Sequence, residues 1–215
     1  MNDKVLRQSI IDALDFDPSI DAARIGVAVE NGIITLSGHV GSYAEKIAAE
    51  TLARRIKGVR AIAEEIEVRY PDHKKTADDQ IASRAVSVIS WDAMVPEGVV
   101  KVKVEKGWVT LAGIVDWQFQ REAAYRAVRK LSGVLGITNN IEVKARVQVP
   151  DVEAKILAAL KRDAEFEADG IKVNVIGDKV ILDGKIKAWH ERQVAERAAW
   201  SAAGVRSVED NLRVA

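Results

Sequence analysis

The chain has 215 residues, 48% of them hydrophobic and 30% charged, and its 32 basic and 32 acidic side chains cancel. That profile belongs to a folded globular protein and leaves no global field to gather nucleic acid or an anionic membrane. No apolar run approaches the roughly 18 residues needed to cross a bilayer, and with no cysteine there are no disulfides, thiol nucleophiles, thiolate metal sites or lipid-modified N-terminal cysteine.

The chain opens with MNDKVLRQSIIDAL, which has polar residues where a signal peptide has its apolar core and cleavage site. The expected location is therefore cytoplasmic, or periplasmic if the chain is a mature form. The same stretch predicts a helix, with Leu6, Ile10, Ala13 and Leu14 at helical spacing. Two short alternating strands follow, VAV from 27 and IITL from 33, joined through Asn31-Gly32, a strong hairpin signal. Gly38 at the end of the second strand marks a bend or a close approach of backbone. A second helix is expected with Ala48, Leu52 and Ile56 on its apolar side, capped by Gly58, and EIEV at 65–68 closes the series as a strand.

This order recurs twice without gaps. Gly38, Gly113 and Gly184 align, offset by 75 and then 71 residues, and so do Gly58, Gly133 and Gly204, each followed by valine. Copy 2 has its first helix on Ile81, Ala85, Val88 and Ile89, its turn at Lys106-Gly107 and its second helix on Ala123, Ala127 and Leu131. Copy 3 has Val152, Ile156, Ala159 and Leu160, a turn at Gly177-Asp178, and Val194, Ala198 and Ala202. Period comes before element in such a chain, because it sets the architecture. Three domains are expected, at 1–70, 76–146 and 149–215. About 65 residues make a marginal domain, so the copies are expected to lean on one another or on a partner chain. The linker RYPDHKKTA is polar, and KARVQVP, shorter and more apolar, is expected to be the stiffer.

The hairpin V-x-V-x-x-G-x-V-T-L-x-G, the alanine-rich helix and the closing G-V-x-x-V-x-N-x-[IL]-x-V resemble the BON domain, named for bacterial osmotically inducible and nodulation proteins. Copy 2, VKVEKGWVTLAGIV to LSGVLGITNNIEV, is the nearest match. The resemblance implies an α+β fold: three tandem small αββαβ domains, each a three-stranded mixed sheet with two helices on one face. It further implies a transport-associated, osmotic and envelope stress protein without enzymatic activity or cofactor, proposed to bind phospholipid surfaces, with chaperone or assembly roles in some members. Three domains where many members have two, and no export signal or lipid anchor, are departures from the common layout.

Comparing the copies separates core from surface. Ile34/Val109/Val180 and Leu36/Leu111/Leu182 stay apolar and are expected beneath the helices, whereas Ile33/Trp108/Lys179 alternate to the other face. Copy 2 thus sets Trp108 on an open sheet with Lys101 and Lys103. Residues 76–146 carry ten basic and eight acidic side chains, while each flanking third has one more acidic than basic residue. A second aromatic group, Trp117 and Phe119 before Arg121, begins the second helix of copy 2. A ring beside a cation suits an interfacial contact with phosphate headgroups. Tyr43 and Trp189 occupy the position of Gln118, and Trp200 aligns with Arg54 and Arg129. These are candidate interface residues, since such rings can equally cap a helix or pack between copies. Trp91, aligned with Phe16, is expected in the core.

Other chemistries have no footing. His39, His73 and His190 align with apolar residues, lysine or linker, and no pair has metal-ligand spacing. HERQV at 190 lacks the second histidine of a zinc-protease helix. GVLG at 133–136 precedes a strand, whereas the GXXG loop that clamps RNA lies between helices and carries basic residues. The reading is a non-enzymatic binding protein for an anionic phospholipid surface, with Lys101, Lys103, Trp108, Trp117, Phe119 and Arg121 as the contact. The alternative is a protein-interaction scaffold or chaperone, with a protein partner or a homo-oligomer formed through Tyr43, Trp189 and Trp200.

Overall fold

A computed structural model describes residues 2–71, 76–144, 152–162, 171–187 and 189–214. Copy 1 contains α1 (Asp3–Phe16), β1 (Ile25–Glu30), β2 (Ile33–Val40), α2 (Tyr43–Arg54) and β3 (Ala61–Val68). Copy 2 repeats this as α3 (Asp78–Trp91), β4 (Val100–Glu105), β5 (Trp108–Val115), α4 (Gln118–Val128) and β6 (Gly136–Val143). Copy 3 repeats it again as α5 (Val152–Arg162), β7 (Ile171–Ile176), β8 (Lys179–Ile186), α6 (Trp189–Ser201) and β9 (Ser207–Val214).

Each sheet has three strands with the second in the middle. β1 and β2 run antiparallel, with Ile25 opposite Gly38, and β2 and β3 run parallel, with Ile33 opposite Ala61. Parallel neighbours require a crossover, and the second helix of each copy supplies it. The sheets are mixed, and the three tandem αββαβ units of the expected α+β fold are present.

The hairpin turns show how the sequence sets the register. Asn31 and Gly32 have φ of 52° and 75°, and Lys106 and Gly107 have 50° and 76°. A two-residue turn of this kind needs both residues in the left-handed region, which a lysine resists. The first residue of the preceding helix compensates. Asp78 accepts the backbone N–H groups of Lys106 at 2.6 Å and Gly107 at 2.8 Å, as Asp3 does for Asn31 and Gly32 in copy 1. The start of the first helix in copies 1 and 2 is therefore fastened to the hairpin end of its sheet.

The repeated glycines lie inside the second strands, which continue two residues beyond them. A Cβ on Gly38 or Gly113 would stand 2.1 Å from the carbonyl oxygen of Arg24 or Val99, so the close approach expected there is present and the strand end is not. The stripe of the second helix is displaced by one residue from the expected one. The fully buried positions are Ala49 and Ala53, Ala124 and Val128, and Ala195 and Ala199, while Ala48, Leu52, Ala198 and Ala202 are half-buried. Small side chains, five alanines and Val128, occupy the line nearest the sheet. Phe16 and Trp91 are not core: they are 90% and 89% exposed. Each sits two residues past the last buried residue of its helix, Leu14 or Ile89, and two residues is about 200° around the axis. The relative stiffness expected of the linkers falls on residues 72–75 and 145–150, outside the described residues.

Three separate apolar cores result, and side chains from neighbouring copies help to close those of copies 1 and 2. Tyr43 of copy 1 is buried in the core of copy 2, with Ile47 and Val68 packed beside it. Trp189 of copy 3 packs on the core of copy 1. Trp200 packs on the cores of copies 2 and 3. Each copy therefore touches the other two, and the second helices line these junctions.

Candidate binding surface

The helix-free face of copy 2 is built by alternation along its strands. Val109, Leu111 and Val115 are buried under the helices, and Trp108 and Ile114 project from the opposite face. Lys101 and Lys103 on β4 are exposed opposite Ala112 and Thr110. The Trp108 indole lies across Gly136, where a Cβ would meet ring carbons at 2.4 Å, and its Nε1 donates to the Thr138 hydroxyl at 2.8 Å. The ring is pinned flat with one face to solvent. Lys103 pairs with Glu105 at 3.0 Å, so part of the expected positive charge is answered locally.

The six residues expected to share one surface fall into two groups. Lys101, Lys103 and Trp108 stand on the helix-free face. Trp117 is half-buried just before α4, Phe119 is half-exposed on its first turn, and Arg121 lies on the helix side. There the Arg121 guanidinium donates to the Asn139 carbonyl at 3.4 Å and the Asn139 amide returns to the Arg121 carbonyl at 3.3 Å. Arg121 therefore binds α4 to β6 and does not stand with the two lysines.

Two residues outside the expected set and one expected in the core are also exposed towards one end of this copy. Asp78 fixes the start of α3 at the hairpin, so Trp91, 14 residues along a helix rising about 1.5 Å per residue, lies at the far end of the domain. β5 also runs away from the hairpin, carrying Ile114 to that end, where Phe119 begins α4. Trp91, Met94, Ile114 and Phe119 are all at least half exposed. Among the described residues, seven of the eleven exposed large hydrophobic side chains belong to copy 2. The corresponding positions in copy 1 are Phe16, Ser19, His39 and Ala44, and in copy 3 Arg162, Glu165, Lys185 and His190. Asp92, Asp116 and Glu142 adjoin these residues in the chain or on the neighbouring strand, with Glu97 in the loop after α3, and make a mainly acidic rim in which Lys144, bonded through its N–H to the Val115 carbonyl, is a basic member.

Tyr43, Trp189 and Trp200 are engaged between copies. The Tyr43 hydroxyl lies 3.2 Å from that of Tyr125, and burial, followed by that neighbour, pushes its pKa up. The guanidinium of Arg192 stacks 5.7 Å from the Trp189 ring centroid. Beside it, burial first and Asp210 second raise the Glu196 carboxyl, against Arg192 and Arg54. Among the described residues, no group of three or more histidine, aspartate or glutamate side chains is placed to hold a metal ion, and no helix is long and apolar enough to cross a membrane.

Compared with known families, the chain matches the BON domain three times, at residues 2–70, 77–145 and 148–215. The chain belongs to the BON domain family. Among curated proteins it is similar to Osmotically-inducible protein Y of Escherichia coli (strain K12), 29% identical over 150 residues, which cover 67% of this chain and 74% of that protein. Two solved structures of CdsD, a structural protein of the type III secretion system of Chlamydia trachomatis, align with it, the second being of the C-terminal domain. The first has 15% identity and covers 98% of this chain and 92% of that one. The second has 14% identity and covers 100% and 98%. Both have a TM-score of 0.26. Within this chain the three BON copies share their core positions and differ in what they expose, and among the described residues copy 2 exposes the most large apolar side chains.

Proposed function

We propose that this BON protein is a non-enzymatic, stress-associated binding protein whose second copy docks on phospholipid surfaces. The observation that carries the reading is the concentration of exposed apolar side chains on that copy, above all Trp91, Met94, Ile114 and Phe119 at the end away from the hairpin. Apolar side chains exposed in such number on one copy suit an interaction site, and tryptophan and phenylalanine rings settle at headgroup depth. Similarity to an osmotically inducible protein supports the association with stress. The acidic rim makes insertion of rings, with Lys101 and Lys103 in a lesser part, the source of affinity.

The same rim favours a second reading, a protein partner with apolar anchors and basic flanks, as a scaffold or chaperone would bind. Co-sedimentation with phosphatidylcholine vesicles and with phosphatidylcholine–phosphatidylglycerol vesicles separates the two. The lipid reading expects the full chain to pellet with both kinds at 0.5 M salt and Trp91→Ser plus Phe119→Ser to abolish it. Failure to pellet with either kind removes the lipid reading and leaves the protein partner.

A further inference from the structure

We infer that the second helix of each copy carries a two-ended recognition surface for another copy of the same domain, and that the three copies close head to tail into a ring in which Gln118 faces Trp200. The first residue of the helix is the head and the twelfth, in its last turn, is the tail. Two junctions show the rule directly. Tyr43, the head of copy 1, is 8% exposed inside the core of copy 2 and meets Tyr125. Tyr125 is one helical turn before the tail Arg129, on the same side of α4. Trp189, the head of copy 3, packs on copy 1, whose tail Arg54 places its guanidinium 5.9 Å from the ring centroid.

The remaining head is Gln118 and the remaining tail is Trp200. Trp200 packs on the core of copy 2, in the direction that closes the cycle, and Gln118 buries its Oε1 without a hydrogen-bond partner. The residue types are exchanged across this junction. The head and tail positions of each seam then hold one large aromatic and one polar side chain: Tyr43 with Arg129, where Tyr125 adds a second ring, Trp189 with Arg54, and Gln118 with Trp200. Volume is kept from seam to seam while its source changes sides, as packing at fixed density requires. A head-to-tail contact is heterologous and polymerises unless the rotation closes. Closure at three within one chain uses every head and every tail.

A double-mutant cycle on the full chain tests this. Trp200→Arg leaves two polar residues in the seam, and Gln118→Tyr sets two rings against each other. Each is expected to lower Tm by about 4 °C or more. The double variant restores the pattern of the other two seams and recovers at least half of the summed loss. Trp200→Phe keeps an aromatic tail and should stay near the parent, which distinguishes a seam from a general intolerance at 200. By light scattering the parent remains at its 23.5 kDa monomer mass, and Trp200→Arg, with one seam opened, associates as concentration rises. Losses that simply add, or a parent that polymerises, would overturn the ring.

Discussion

Arg54 of the first copy holds its guanidinium 5.9 Å from the ring centroid of Trp189 of the third copy, although 135 residues separate them in the chain. The pair holds copy 3 against copy 1, and it combines charge with apolar area. A cation over an indole contributes about 0.5–2 kcal/mol, and loss of the ring also removes packing on the core of copy 1. Trp189→Ala is expected to destabilise the protein by about 2 kcal/mol in urea unfolding, and Arg54→Lys by less. Equal midpoints for Trp189→Ala and the parent would contradict the contact.

The Glu196 carboxyl lies in the same junction and is held above its ordinary value of 4.5 by burial and by Asp210, against Arg192 and Arg54. An acid with a raised folded pKa costs stability while ionised, and the cost disappears as pH falls through the folded value towards the unfolded one. As pH falls from 7 towards the ordinary carboxylate range, then, the parent should gain urea resistance relative to Glu196→Gln. The variant should be the more stable of the two at pH 7. A parallel response of both proteins to pH would remove Glu196 from the balance.

Asp78 supports a turn that its own sequence strains. Asp78→Ala removes two charge-assisted hydrogen bonds from Lys106 and Gly107, a loss of about 1.5–3 kcal/mol for a charged acceptor at a half-exposed site. Lys106→Gly relieves the left-handed lysine, φ 50°, and is expected to stabilise by about 1 kcal/mol. Thermal unfolding of both variants and of the double measures whether the acceptor matters less once the strain is gone.

Gly113 tests the backbone approach. With φ at 147° and a Cβ position 2.1 Å from the Val99 carbonyl oxygen, Gly113→Ala cannot be accommodated without moving β4 from β5. Loss of several kcal/mol and of part of the far-UV circular dichroism is expected. Gly98 also has a positive φ, 75°, but open space around it. Gly98→Asn should therefore change stability by no more than about 0.5 kcal/mol.

Phe16, Trp91 and Phe119 bear little of the fold. Serine at any of them should leave the urea midpoint within about 0.5 kcal/mol of the parent, and the vesicle experiment can then be read without a folding correction. A large shift would place these rings in an interface.

The repeat carried most of the architecture, because the aligned glycines at the end of each second helix and inside each second strand demand the same backbone. What it carried less well depends on surroundings outside a copy. The second helices face both their own sheet and a neighbouring copy, so their apolar pattern is broad, and periodicity placed the stripe on Ala48 and Leu52 where the sheet lies nearest Ala49 and Ala53. Phe16 and Trp91 look like a repeated core pair until Arg162 is read with them, and a core position does not become arginine. That signal was present in the sequence. The exposure of Met94 and Ile114 was not, since aliphatic side chains at a strand end and in a loop have no period to betray them. Arg121 was legible as a cation but not as a tie to Asn139, a partner 18 residues away.

Every one of the three sheets has two unpaired margins, and exposed margins invite strands from other chains. In copy 1 the Arg7 side chain donates to the Val27 carbonyl at 2.8 Å, occupying a group on the outer strand. Copy 2 has Ala82 where copy 1 has Arg7, and it is on this outer strand that Lys101 and Lys103 stand exposed. In copy 3, Lys172 is exposed on β7. Lysine on an outer strand repels an incoming strand that would have to bury it. The two lysines of copy 2 thus protect the protein from adding strands to itself, whatever else they touch, and replacing both with valine would lengthen an adhesive margin before it weakened any ligand.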